Sequence, residues 1–115
     1  MDQRVETIIT FIEDNFNRTL SVSDLAKYVN LSPWHLLHLF KAETGASPLQ
    51  YIRAVRMAQA EWLLENTFLS VKQIMIQVGI RDESHFVRDF KSMYDLSPTR
   101  FRQRFSRAYP KPIDL

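Results

Sequence analysis

Apolar residues recur along this chain at helical spacing, and the longest such stretch is SPLQYIRAVRMAQAEWLLEN, residues 47–66. Ser47 suits an N-cap and Pro48 the first helical position, where its missing N–H costs nothing. Neither Gly nor Pro follows before Asn66, so the pattern predicts a helix from Pro48 to Glu65, about 27 Å long. At 100° per residue, Tyr51, Val55, Ala58 and Trp62 fall on one side and Leu49, Met57, Ala60 and Leu64 nearly opposite. Ile52 and Leu63 lie between them, and only Gln50, Ala54, Glu61 and Glu65 form a narrow wet stripe. A helix apolar on most of its circumference is expected to be buried on more than one side. It reads as a strut between two lobes.

Before the strut, Val5, Ile8, Ile9, Ile12 and Phe16 keep helical spacing and predict an amphipathic helix from Asp2 to Asn15. Asn17-Arg18-Thr19 closes it. Ser21 then reads as an N-cap, with Asp24 completing a capping-box-like pattern. Leu25, Ala26 and Val29 give the short helix that follows its inner face, and Asn30, which tolerates the left-handed conformation, turns the chain. Ser32-Pro33 opens a further helix with Leu36 and Phe40 inward, and Gly45 stands where a C′ glycine belongs.

After Asn66 the pattern repeats. Val71, Ile74 and Val78 match Val22, Leu25 and Val29 at an offset of 49, with Gly79 in the place of Asn30. One extra residue enters the turn, and the offset becomes 50: Phe86 matches Leu36, Phe90-Lys91 matches Phe40-Lys41, and Ser97-Pro98 matches Ser47-Pro48. FKAETGASPLQY and FKSMYDLSPTRF are thus two copies of one unit of helix, tight turn, helix and capped helix. Asp95 replaces Gly45 at the cap.

The chain has 115 residues, 45% apolar and 24% charged, which is one ordinary globular domain. Two glycines and five prolines, each proline near a boundary, favour an all-α fold. With no cysteine, disulfides, thiolate metal sites and cysteine nucleophiles are excluded. The apolar runs are too short for a membrane span or a signal peptide, so the expected location is cytoplasmic, nucleoid-associated when bound. Residues 1–66 hold six Lys/Arg against eight Asp/Glu, net −2, whereas residues 67–115 hold nine against five, net +4. A basic half of this kind is compatible with a polyanionic partner.

Two short helices across a tight turn, the first bearing a small residue toward the second, form a helix-turn-helix. Ala26 is that small residue. The second helix of such a pair lies in the DNA major groove with its outward residues on base edges. In the first copy these are Trp34, Leu37, His38 and Lys41. In the second they are Glu83, Ser84, Val87, Arg88 and Lys91, with His85 on the flank.

On LAKYVNLSPWHLLHLFKAETGASPLQYI and VGIRDESHFVRDFKSMYDLSPTRFR, the chain resembles the DNA-binding domain of the AraC/XylS transcription regulators over roughly residues 5 to 105. The resemblance implies an all-α domain of seven helices, here over 1–107, and residues 108–115, with Pro110 and Pro112, read as an extended tail. Within it fall a first helix-turn-helix at about 20–45, a linker helix over 47–66, a second helix-turn-helix at about 70–95 and a last helix over 97–106. It implies sequence-specific binding of double-stranded DNA in bacterial transcription regulation, with two recognition helices in adjacent major grooves. Base contacts would fall to Trp34, Leu37, His38, Glu83, Ser84, His85 and Arg88. Phosphate contacts would fall to Ser32, Lys41, Ser47, Lys91, Ser97, Thr99 and Arg100, the helix N-termini at Ser47 and Ser97 facing the backbone. RNA polymerase and a sensor or dimerisation domain outside this chain are the further partners it implies. No membrane, cofactor or catalytic residue is expected.

Blander readings stand beside these. Trp34 could cover its helix N-terminus, Leu37 could edge the core, and the arginines from Arg100 to Arg107 could be a solvated face. Arg53 and Arg56 could be internal ion-pair partners or phosphate contacts. His35, His38 and His85 lack carboxylates at matching spacing, which argues against a metal site. Met75 stands where the second copy should carry a small residue, so it either wedges that helix pair open or lies flat as core. The rival function is a helical protein-interaction module with weak or no DNA binding, suggested by Met75 and the negative first half.

Overall fold

The computed structural model describes residues 1–108, and its elements are all helices: α1 (Gln3–Asn15), α2 (Val22–Tyr28), α3 (Pro33–Thr44), α4 (Pro48–Asn66), α5 (Val71–Gln77), α6 (Glu83–Tyr94) and α7 (Pro98–Phe105). Apart from Ala108, the expected tail lies outside the described residues. The chain divides into two compact units, Met1–Val55 and Arg56–Leu115, with the division inside α4.

In the first unit each helix starts where a side-chain acceptor meets exposed backbone N–H groups. Asp2 caps α1, accepting from the Arg4 backbone N–H at 2.8 Å and from the Arg4 guanidinium at 3.0 and 3.2 Å. The Arg4 side chain, then its backbone N–H, holds the Asp2 carboxyl down at about 2. Ser21 Oγ accepts from the Asp24 N–H and Ser32 Oγ from the His35 N–H, both at 3.1 Å. Gly45, at φ 81°, ends α3 in the left-handed conformation. A helix of seven residues such as α2 is not stable alone. Burial of Leu25 and Ala26 among Val5, Ile8, Ile12, Leu36, Phe40 and Ile52 holds it.

The second unit repeats this construction. Ser70 and Gln73 cap α5 reciprocally, at 2.8 and 3.0 Å. Asp82 caps α6, accepting from the His85 N–H at 2.9 Å. Asp95 closes α6 at φ 64°, the conformation Gly45 adopts in the first unit. Met57, Leu64, Ile74, Met75, Val78, Phe86, Phe90 and Phe101 are buried. Phe90 meets Tyr94 tilted at 4.6 Å between ring centroids, and Phe101 packs edge to face on Phe90 at 5.3 Å and on Tyr94 at 5.7 Å. Burial, and then a hydrogen bond to Glu61, pushes the Tyr94 hydroxyl far above its ordinary value.

Two expectations need correction. The strut is less buried than its apolar circumference suggests: Leu49 is 54% exposed and Trp62 56%, and Ala58 is exposed. Ile52, Met57, Ala60, Leu63 and Leu64 cover the cores, while Glu61 and Glu65, placed on the wet stripe, are half-buried. Glu61 bonds Tyr94, and the Glu65 carbonyl accepts the Arg107 N–H at 2.7 Å. The basic tail end of α7 is likewise no uniform solvated face. The Arg102 guanidinium donates to the carbonyls of Leu63, Leu64, Thr67 and Leu69, closing the C-terminus of α4 and its exit, where a cation also suits the helix dipole.

Candidate nucleic-acid interface

The two turns are built from the same backbone bonds. In the first, the Leu31 N–H donates to the Ala26 carbonyl at 2.9 Å and the Asn30 N–H to Lys27 at 3.1 Å. In the second, the Ile80 N–H donates to Met75 and the Gly79 N–H to Ile76, both at 3.0 Å. Asn30 at φ 58° and Gly79 at φ 89° take the left-handed step. Met75 is 4% exposed, so it lies in the core, and the turn bonds form with it in place. The extra residue of the second turn is Arg81, exposed one position before the Asp82 cap.

With Leu36 and Phe40 inward, α3 presents Trp34, Leu37, His38 and Lys41, all exposed, Trp34 at 69%. The Trp34 and His38 rings lie 3.9 Å apart at 30°, and His38 Nδ1 is 2.8 Å from the Trp34 carbonyl oxygen. A carbonyl only accepts, so Nδ1 carries the proton and Nε2 is the ring's remaining polar atom. Trp34 and His38 therefore form one aromatic block.

On α6, Phe86 and Phe90 turn inward and Glu83, Ser84, Val87, Arg88 and Lys91 line a shallow open groove. Glu83, Ser84, Arg88 and Lys91 are exposed and Val87 is half-buried. His85, half exposed, sits beside this set with Nε2 2.9 Å from Asp89 Oδ2. Asp89 is 6% exposed, and its four-residue spacing from His85 is the one sign of this pair in the sequence.

Five of the expected phosphate contacts, Ser32, Ser47, Ser97, Thr99 and Arg100, stand at helix starts. Ser47 Oγ accepts from the Gln50 N–H at 3.1 Å, and the Gln50 side chain returns a bond to the Ser47 N–H at 2.9 Å. Ser97 Oγ accepts from the Arg100 N–H at 3.3 Å, and Thr99 and Arg100 are exposed on the first turn of α7. Gln50 and Arg100 thus hold equivalent places, and only the second puts a cation at a helix N-terminus. Such a cation opposes the dipole unless an anion joins it. Ser32 caps α3, and Lys41 and Lys91 lie in the last turns of α3 and α6; all three are exposed.

Repeated helix-turn-helix units, each with an exposed second helix, define a DNA-binding domain of a transcription regulator. A family model described as a helix-turn-helix domain matches residues 25–104. The lactose operon transcription activator of Staphylococcus xylosus is 33% identical over 106 residues, covering 92% of this chain and 38% of that protein. The multiple antibiotic resistance protein MarA of Salmonella typhimurium is 31% identical, covering 85% of this chain and 77% of that protein. The C-terminal domain of AraT, a response regulator from Geobacillus stearothermophilus, superposes with TM-score 0.87 at 27% identity, covering 98% of this chain and 93% of that one. The DNA-binding domain of AdpA in complex with a target DNA shares the fold, at TM-score 0.86 and 23% identity over 90% of this chain and 94% of that one.

The chain belongs to the AraC/XylS family of DNA-binding transcription regulators. It spans 38% and 36% of the length of two of these relatives, the lactose operon activator and the Msm operon regulatory protein of Streptococcus mutans. Among the described residues no helix is long and apolar enough to cross a membrane.

Proposed function

We propose that residues 1–107 form one DNA-binding domain that recognises a specific double-stranded sequence, with α3 and α6 each entering a major groove. The observation that carries this reading is the duplicated turn: the same backbone bonds support two second helices whose outward residues are exposed. Trp34, Leu37 and His38 read one half-site, and Glu83, Ser84, His85 and Arg88 the other. Arg88 is suited to bidentate contact with guanine O6 and N7, and Leu37 to a thymine methyl. Ser32, Lys41, Ser47, Lys91, Ser97, Thr99 and Arg100 contact phosphates and set the register. The whole protein acts in the bacterial cytoplasm, contacting RNA polymerase and carrying a sensor or dimerisation segment outside this chain.

Selection from a random duplex pool, followed by mobility shifts over a range of salt, tests the reading. A single enriched sequence and a steep linear fall of log affinity with log salt are expected. Salt-insensitive, sequence-blind retention would favour a protein-interaction module instead. Two grooves on one DNA face lie about 34 Å apart. Inserting half a helical turn between the half-sites should therefore abolish tight binding, and unchanged affinity would exclude simultaneous engagement.

A further inference from the structure

We propose that Asp89 is a positioning residue for DNA readout: its carboxylate holds the His85 imidazole by Nε2 and leaves Nδ1 as the ring atom that meets the base. The inference rests on the DNA-binding reading above. His85 Nε2 and Asp89 Oδ2 are 2.9 Å apart, with the His85 side chain 54% exposed and that of Asp89 9%. The pair therefore runs from the interior of the unit to the surface of the recognition helix, four residues apart on one helical face.

The two units differ at this place. At an offset of 50, Asp89 takes the place of Leu39, a half-buried apolar residue packed against the first core, and His85 that of His35. Leucine offers His35 no acceptor. Taking a carboxylate out of water is unfavourable, and only compensating hydrogen bonds offset it. The first unit places an apolar residue there, whereas the second sets a buried carboxylate against its recognition-helix histidine.

That exchange has a consequence for readout. A carboxylate oxygen accepts, so Nε2 carries the proton, and in the neutral ring Nδ1 becomes the acceptor. An acceptor in the major groove matches the exocyclic amino group of adenine or cytosine. A histidine without the clamp would present either nitrogen, in either tautomer, and discriminate less. With it, one atom faces out in one orientation, which is the pre-organisation that specific contacts need.

The test compares base-preference profiles of the unaltered chain, His85→Ala, Asp89→Leu and Asp89→Asn, with thermal melts of each and nitrogen NMR of the DNA-free imidazoles. Asp89→Leu is expected to fold, yet to lose about tenfold preference for adenine or cytosine at the base pair that His85→Ala also flattens. Asp89→Asn, whose amide oxygen still accepts from Nε2–H, should keep that preference. The His85 ring should be Nε2-protonated in the unaltered chain and a tautomer mixture in Asp89→Leu. An Asp89→Leu profile matching the unaltered chain overturns the inference, as does a His85→Ala profile that is unchanged. An Asp89→Leu chain that cannot fold makes the carboxylate structural and overturns it too, as does a ring protonated at Nδ1. Failure of the unaltered chain to enrich any sequence instead removes the DNA-binding reading itself, and this inference with it.

Discussion

At the turn of the first unit Asn30 takes the positive φ and Ser32 caps the next helix; in the second, Gly79 and Asp82 hold those places with Arg81 inserted between them. Ala26 and Met75 differ by three heavy atoms in the side chain, yet both carbonyls accept from the N–H five residues on. The turn is therefore set by its left-handed step and its backbone bonds, and it forms with either an alanine or a methionine at the buried position before it. Methionine, unbranched and flexible, is well suited to such a place. The outward faces have meanwhile diverged into an aromatic block on α3 and a charged groove on α6. One scaffold thus carries two chemistries.

The sharpest way to break this comparison is at the crossing. Met75 is 4% exposed, so Met75→Ala leaves a cavity and should cost about 2–5 kcal/mol in denaturant unfolding. The reverse exchange, Ala26→Met, overpacks the first unit and should cost about 1–3 kcal/mol. If Met75→Ala melts like the unaltered chain, the crossing of the second unit is not filled by this side chain.

A second break lies at equivalent positions of α4 and α7. The first unit buries Ile52, whereas the second has Arg102 at the matching place, donating to four backbone carbonyls. Arg102→Ala leaves those acceptors to water or to no partner and should cost about 1–3 kcal/mol of stability. Arg102→Lys should recover only part, because an ammonium lacks the planar fork that spans several acceptors. Full recovery by lysine would show that charge at the helix end, not geometry, is what matters.

These sites also mark how far the sequence is readable. Ser32-Pro33, Ser97-Pro98 and Gly45 announce helix ends because capping chemistry is local, and all three act as caps in the structure. The helices and most of their inward faces follow from spacing alone. Asp82 was hidden because the inserted Arg81 shifts the register of the repeat where the cap falls. Arg102 was hidden for another reason: its acceptors lie 33 to 39 residues away, and an arginine in a basic run gives no local sign of them. Trp62 and Leu49 misled in the opposite direction, since apolar character on a helix circumference is necessary for burial but not sufficient. The outward residues of α3 and α6 were legible because the repeat fixes which side faces the core.

The readers should separate by kind. Arg88→Ala is expected to cost about 1–3 kcal/mol of binding and to relax preference at one G·C pair, measured as a base-preference profile. Its counterpart His38→Ala should act on the other half-site. Lys91→Ala and Arg100→Ala should weaken all sequences alike and each reduce the salt slope by about one. Trp34→Ala should lower affinity with little change in slope, because its contact is apolar. An Arg88→Ala profile identical to that of the unaltered chain would reassign Arg88 to the phosphates and leave readout to Glu83, Ser84 and His85.

The smallest effect comes from exchanging the two C-caps. Gly45 and Asp95 stand at equivalent ends of α3 and α6, at φ 81° and 64°, and each N–H donates to the carbonyl of Lys41 or Lys91. Space does not distinguish them, since nothing lies within 4 Å of a Cβ built on Gly45. What differs is the left-handed conformation, which costs an L-residue about 1–2 kcal/mol and glycine nothing; aspartate recovers some of this by local hydrogen bonding. Glycine in turn loses more backbone entropy on folding. The balance predicts that Asp95→Gly stabilises the chain by up to about 1 kcal/mol and that Gly45→Asp destabilises it by a similar amount. The double exchange should return stability close to that of the unaltered chain, because the sites are independent. Denaturant midpoints of all four chains decide it: a gain from Gly45→Asp would mean that the aspartate makes a capping bond worth more than the conformational strain.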